Sequence, residues 1–246
     1  MIESKPNGRN VLVEMISCCR PPLHHTGLFV EGGGDVDITI PECVDEIGAK
    51  VLRSTTAVRL LRIHSNVTRV ASGAFAGSQS LRSLVWDCSS ITAVPDSLCE
   101  DCPALEEVRL HRLTQSIGAK AFVNCAVVKQ MRLPVACKAV GMYAFACSGI
   151  TDILLPQGIV LGRGVFSNCK QLVTVVESGE LKEIPEDTFQ ECTALTTCVV
   201  GSAGLIKRHA FYKCHKLHYL LVNKDVQYAD GAFTGASVGT IIKTYQ

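Results

Sequence analysis

The chain has little aromatic character, little excess charge and no long apolar run. Aromatics make up 6% of its 246 residues, so the positions of its eight Phe carry weight. Its 24 basic residues are matched by 23 acidic ones, for a net charge of +1. Nucleic-acid binders carry a clustered basic excess, and none is present. No polybasic segment offers itself to an anionic membrane surface. No stretch reaches the roughly 18 consecutive apolar residues of a spanning helix, so no membrane insertion is expected. The start, "MIESKPNGRN", is polar, and the apolar run after it is short and broken by Glu14. That is not a secretory signal. The expectation is a cytoplasmic protein or a piece of a longer chain. "EGGGD" (Glu31 to Asp35) lacks the Lys-Ser/Thr and helix of a phosphate loop. No Ser-His-Asp or paired-carboxylate set stands out. No cofactor is expected, and an enzyme, with its chemistry in residues 1–43 or on the strand face, is only the least favoured alternative.

What the sequence has is an internal repeat. The apolar fraction is 47% against 19% charged, so the chain folds. Seven of the eight Phe fall at 75, 122, 145, 166, 189, 211 and 233, and Leu52 and Cys99 fill two further places in the series. The steps are 23, 24, 23, 23, 21, 23, 22 and 22 residues. Each unit repeats one internal spacing. Five residues before the Phe stands an aliphatic, such as Ile117, Val140 or Ile184. Three after it stands Cys, Ser or Thr, and six after it Leu or Val. An alternating stretch follows, as in "LEEVRL" and "VKQMRL", which reads as a strand. Units around Phe145 and Phe233 lack one residue just after the Phe. The "IGAKAF" part does not alternate. Its glycine place holds Pro95 and Pro185 elsewhere, which predicts negative φ and a short helical turn. One unit cannot bury its own apolar side, so each lies on the next.

A period of 22 to 24 sits in the leucine-rich-repeat range. The units resemble the BspA-like leucine-rich repeat family. Ile117, Gly118, Ala121, Phe122, Cys125, Val128, Met131, Leu133 and Pro134 carry the match most closely. The resemblance covers about four-fifths of the chain. It implies an α/β solenoid: an arc with a parallel β-sheet on the concave face and short helical turns or loops on the convex face. About nine units fill residues 44–246, and residues 1–43 form an N-terminal capping segment. Members occur on the surfaces of bacteria and protozoan parasites. The resemblance therefore implies a cell-surface adhesin as the alternative to a cytoplasmic scaffold.

Of the thirteen cysteines, five fall on one place of the repeat. Cys102, Cys125, Cys169, Cys192 and Cys214 share one inward place with Ser78 and Thr55. That is a column of reduced thiols packing as small hydrophobes. Zinc needs four ligands converging on one point. "CEDC" (Cys99, Cys102) has the C-x-x-C spacing, but Cys99 stands in the Phe column. "CCRPPLHH" (Cys18, Cys19, His24, His25) is the one local group with four possible metal ligands, and its expected role is a cap with incidental thiols. His215 and His218 flank spine residues Cys214 and Leu217 and are expected to face solvent.

Binding is expected on the strands. The inward positions are Leu61, Leu84, Val108, Met131, Ile153, Val175, Cys198, Leu220 and Ile241. The residue after each faces out. That row reads Arg62, Val85, Arg109, Arg132, Leu154, Val176, Val199, Leu221 and Ile242, with Tyr219 also outward. Its second half is five consecutive aliphatics, each on its own strand, and contiguous exposed apolar surface marks an interaction site. The expected partner is a protein, with the arginine end recognising acidic groups. "GTIIKTYQ" ends in a strand with an open edge, through which two copies can pair as a homodimer.

Overall fold

The computed structural model describes residues 36–40, 42, 44–52 and 57–244. Two sets of parallel strands run through it. The longer strands are β1 (Val36–Thr39), β2 (Val58–Ile63), β3 (Ser83–Trp86), β4 (Glu107–Leu110), β5 (Asp152–Leu155), β6 (Thr174–Glu177), β7 (Thr197–Val200), β8 (Tyr219–Asn223) and β9 (Thr240–Thr244). β1 to β4 pair in chain order, as do β5 to β9. Between the two blocks only Gln130 bridges, to Glu107 on one side and Asp152 on the other. The second set consists of two-residue strands at the aliphatic place, for example Ser116–Ile117, Ala139–Val140 and Val160–Leu161. Each repeat but that of Phe122, which lacks the long strand, therefore contributes one long and one short strand to a β-solenoid.

The core is the repeat seen end-on. Phe75, Phe122, Phe145, Phe166, Phe189 and Phe211 are buried. From Phe122 to Phe233 the rings stack turn on turn, with centroids 5.3–5.7 Å apart. Burying a Phe contributes about 1.5–3 kcal/mol. The leucine place (Leu81, Leu105, Val128, Leu172, Leu195, Leu217) and the aliphatic place lie in the same core.

No helix forms among the described residues, so the expected helical turns and the α/β class are corrected to an all-β solenoid. The reason lies two residues to either side of the Phe place. Lys120 and Asn124, Tyr143 and Cys147, Asp187 and Glu191, and His209 and Lys213 all have φ between 55° and 59°. A right-handed helix cannot pass through such residues. The backbone bonds instead run to the next turn. Phe122 N donates to the Ala144 carbonyl, Phe166 N to Thr188 and Phe189 N to Ala210, at 2.8–3.0 Å. Gly118, at the expected negative-φ place, is not among the positive-φ residues. It is small for another reason: a Cβ there would lie 2.5 Å from the Asp96 backbone nitrogen.

One further expectation changes. "VKQMRL" is expected to give a strand, but it contributes only the Gln130 bridge. Ile241 keeps the expected inward file, in register with Leu220, and is 47% exposed because no further described turn lies over it. At the other end, β1 precedes the expected boundary at 43/44 and joins the long-strand sheet through β2. The rest of the expected cap, including Cys18, Cys19, His24 and His25, lies outside the described residues.

Candidate functional site

The outward row is one file of side chains, because parallel pairing without a register shift stacks equivalent residues. Leu154 pairs with Val176, Val176 with Val199, Val199 with Leu221, and Leu221 with Ile242. Leu154 and Ile242 are exposed, and Val176, Val199 and Leu221 are half-buried between their neighbours. Their inward companions Ile153, Val175, Cys198 and Leu220 are buried. Tyr219 stands on the same face, in a file with Thr174, Thr197 and Thr240.

The basic half continues this file. Arg62 pairs with Val85 and Val85 with Arg109. Arg132 follows two residues after the Gln130 bridge, on the segment between β4 and β5. Arg62, Arg109 and Arg132 are all exposed. Arg109 Nε donates to Glu107 Oε1 at 2.7 Å, so part of its charge is neutralised on its own strand.

A feature absent from the sequence reading lies between the two halves. A cleft of roughly 880 Å³ opens where the 127–132 segment leaves the sheet. Arg109 and Arg132 line it, together with Lys129 and Glu107. "VKQMRLP" alternates as well as its neighbours do, so the alternation gave no signal of the gap. The nearest mark in the sequence is the missing residue behind Phe145. There Gly149 comes close to the preceding turn, and its N–H donates to the Cys125 carbonyl at 3.2 Å.

The other candidate chemistry resolves into structure. Among the described residues no group of three or more His, Cys, Asp or Glu is placed to hold a metal. Ten described cysteines are free thiols, and all but Cys147 are buried. In the cysteine column Sγ donates to the carbonyl of the preceding turn's Phe place: Cys102 to Phe75, Cys125 to Cys99, Cys169 to Phe145, Cys192 to Phe166 and Cys214 to Phe189, at 3.0–3.2 Å. Burial pushes Cys169 up to about 11 and Cys214 to about 12, away from the reactive thiolate. Cys99 is raised well above the usual thiol range by burial, and Cys102 is lowered by the hydrogen bond the two share. Both are buried, which removes the exposed thiolate that redox exchange needs. His215 and His218 are exposed.

A family model for the BspA type leucine rich repeat region matches residues 35–146 and 92–218, in six copies. The chain belongs to that family. Three solved structures place this BspA type repeat chain among leucine-rich repeat folds. A leucine-rich repeat protein from Bacteroides ovatus ATCC 8483 is 20% identical with a TM-score of 0.64, and the match covers 82% of this chain and 59% of that one. A leucine-rich repeat protein from Eubacterium ventriosum ATCC 27560 is 19% identical with a TM-score of 0.54, covering 86% and 67%. The T. pallidum leucine rich repeat protein is 17% identical with a TM-score of 0.50, covering 82% and 76%. The BspA type chain thus spans less than two thirds of the Bacteroides ovatus protein. At these identities the likeness shows a shared fold. No curated protein matches it. No helix among its described residues is long and apolar enough to cross a membrane.

Proposed function

We propose that this BspA type repeat protein is a non-catalytic interaction scaffold that receives a protein partner on the outward face of its long-strand sheet, the face expected to be concave. The observation that carries the reading is the file Leu154, Val176, Val199, Leu221 and Ile242, held in strict register on five neighbouring strands. These outward places have no packing partner inside the solenoid, so the core gives no reason for them to be apolar. Tyr219 adds an aromatic on the same face, and the arginine half is suited to acidic groups on the partner. The free described thiols favour a reducing compartment, hence a cytoplasmic setting; fractionation of intact cells distinguishes it from the cell surface. A second contact, between two copies, is proposed at β9.

The test is partner capture from source-cell lysate by the wild-type chain and by the pair Val199→Ala with Leu221→Ala. Both side chains are half-buried and neither is in the core, so the far-UV spectrum should be unchanged while capture falls at least tenfold, about 1.4 kcal/mol. Equal capture by the two proteins would remove the stripe from the binding surface.

A further inference from the structure

The cleft between β4 and the 127–132 segment carries an inference that rests on the reading above and narrows it. Five consecutive residues, Glu106 to Leu110, line it. Side chains on one face of a strand alternate, so five in succession mean that the cleft runs along the strand's edge as well as its face. On that edge β4 is paired only through Glu107 to Gln130. The backbone groups of Arg109 face β3, where Val85 is its partner, and the bridge uses the Val108 N–H, so the groups left without a ladder on that side are the Val108 carbonyl and those of Leu110. From Val108 to Leu110 the edge spans about 7 Å. An unpaired edge is a template for an added strand.

The charges around this edge are unequal in their commitments. The two carboxylates are engaged: Glu107 takes hydrogen bonds from Arg109 Nε and Ser83 Oγ, and Glu106 lies 3.9 Å from Arg82. Lys129 and Arg132, both exposed on the far wall, make no ion pair among the described residues. A cleft with a free strand edge and two uncommitted cations is complementary to an extended backbone carrying carboxylates. We infer that the cleft takes a short, extended, acidic stretch of a partner protein, which adds to the β4 edge at Val108–Leu110 and sets its carboxylates against Lys129 and Arg132.

The probe is a fluorescein-labelled hexapeptide of alternating Glu and Thr, followed by anisotropy at low salt. Its counterpart with Gln for Glu should bind at least tenfold more weakly. So should the acidic peptide N-methylated at alternate residues, which cannot donate along a strand edge. The pair Lys129→Glu with Arg132→Glu should abolish binding, and Lys129→Gln with Arg132→Gln serves if the reversal disturbs the fold. Lys170→Gln with Lys216→Gln, which removes two exposed cations outside the cleft, should leave peptide binding unchanged. Equal binding of the acidic and neutral peptides, indifference to N-methylation, or full affinity in both cation variants would each overturn the inference. If the peptide does not bind while lysate capture still depends on Val199 and Leu221, the cleft assignment fails and the scaffold reading stands. If the peptide binds as expected while capture ignores the stripe, the cleft stands and the stripe falls.

Discussion

At the scale of single residues, the cysteine column shows how a small thiol fits one place in the repeat. Each Sγ reaches the carbonyl of the Phe place one turn back, at 3.0–3.2 Å, whereas Ser78 fills the same place with a buried hydroxyl that has no hydrogen-bond partner. The same burial makes the column sensitive to alkali. Cys169 is raised to about 11 and Cys214 to about 12, and Cys99, Cys192 and Cys198 are raised well above the ordinary range, all chiefly by burial. In the unfolded chain each would ionise near pH ~8.5. Below that value both states hold the proton and the thiols' stabilisation is intact. Above it the unfolded chain binds fewer protons than the folded one, so stability falls as pH rises toward the folded values. Each such thiol lowers stability over that interval, opposed by Cys102, which is lowered by its hydrogen bond with Cys99. Urea midpoints measured at pH 8, 9 and 10 under reducing conditions should drop steeply across the series; a flat series would contradict the burial of the column.

At the scale of elements, the strands and their register were legible in the sequence, and the turns between them were not. A constant spacing from Phe place to strand fixes which residues share a file, and Val176, Val199 and Leu221 needed nothing more. The turns depend on φ, which side-chain type signals only when glycine is present. Gly73, Gly77, Gly164, Gly231 and Gly235 occupy left-handed places, but Lys120, Asn124, Tyr143, Asp187 and His209 occupy the equivalent places in other turns. A reader of side chains sees ordinary helix-compatible residues there. The Gln130 gap was hidden likewise, since Met131 and Leu133 are inward and buried although their strand does not form. The candidate face was therefore legible as a file of residues, and its cleft was not. β9 is unpartnered on one side: it pairs with β8 and with no other strand among the described residues. Both Ile241 and Ile242 are exposed. The proposed contact between two copies at this edge predicts that the sedimentation-derived mass climbs with concentration toward two chains. Ile241→Lys should hold it at one, because a charged edge strand resists pairing. A wild-type chain that stays at one mass across the range would eliminate the contact.

At the scale of the whole molecule, stability is close to a sum over turns and the interfaces between them, so the cost of a lesion depends on how many neighbours it has. Phe166 is buried and stacks on Phe145 and Phe189, each 5.7 Å away. Phe233 is only partly buried; it stacks on Phe211 at 5.3 Å and meets the edge of Tyr228 at 5.5 Å. Phe166→Ala removes a buried ring from the middle of the spine and two stacking contacts with it, at an expected cost of about 3–5 kcal/mol. Because the turns on either side lose a shared partner, the loss should also divide the unfolding transition or broaden it. Phe233→Ala leaves the upstream interfaces intact and should cost less, with the main transition unchanged in steepness. Urea unfolding of both variants beside the wild type measures this directly. Equal costs at the two positions would mean that the turns do not act as nearest-neighbour units. In that case a partner bound along the outward face would be felt throughout the solenoid, whereas nearest-neighbour behaviour confines its effect to the turns it touches.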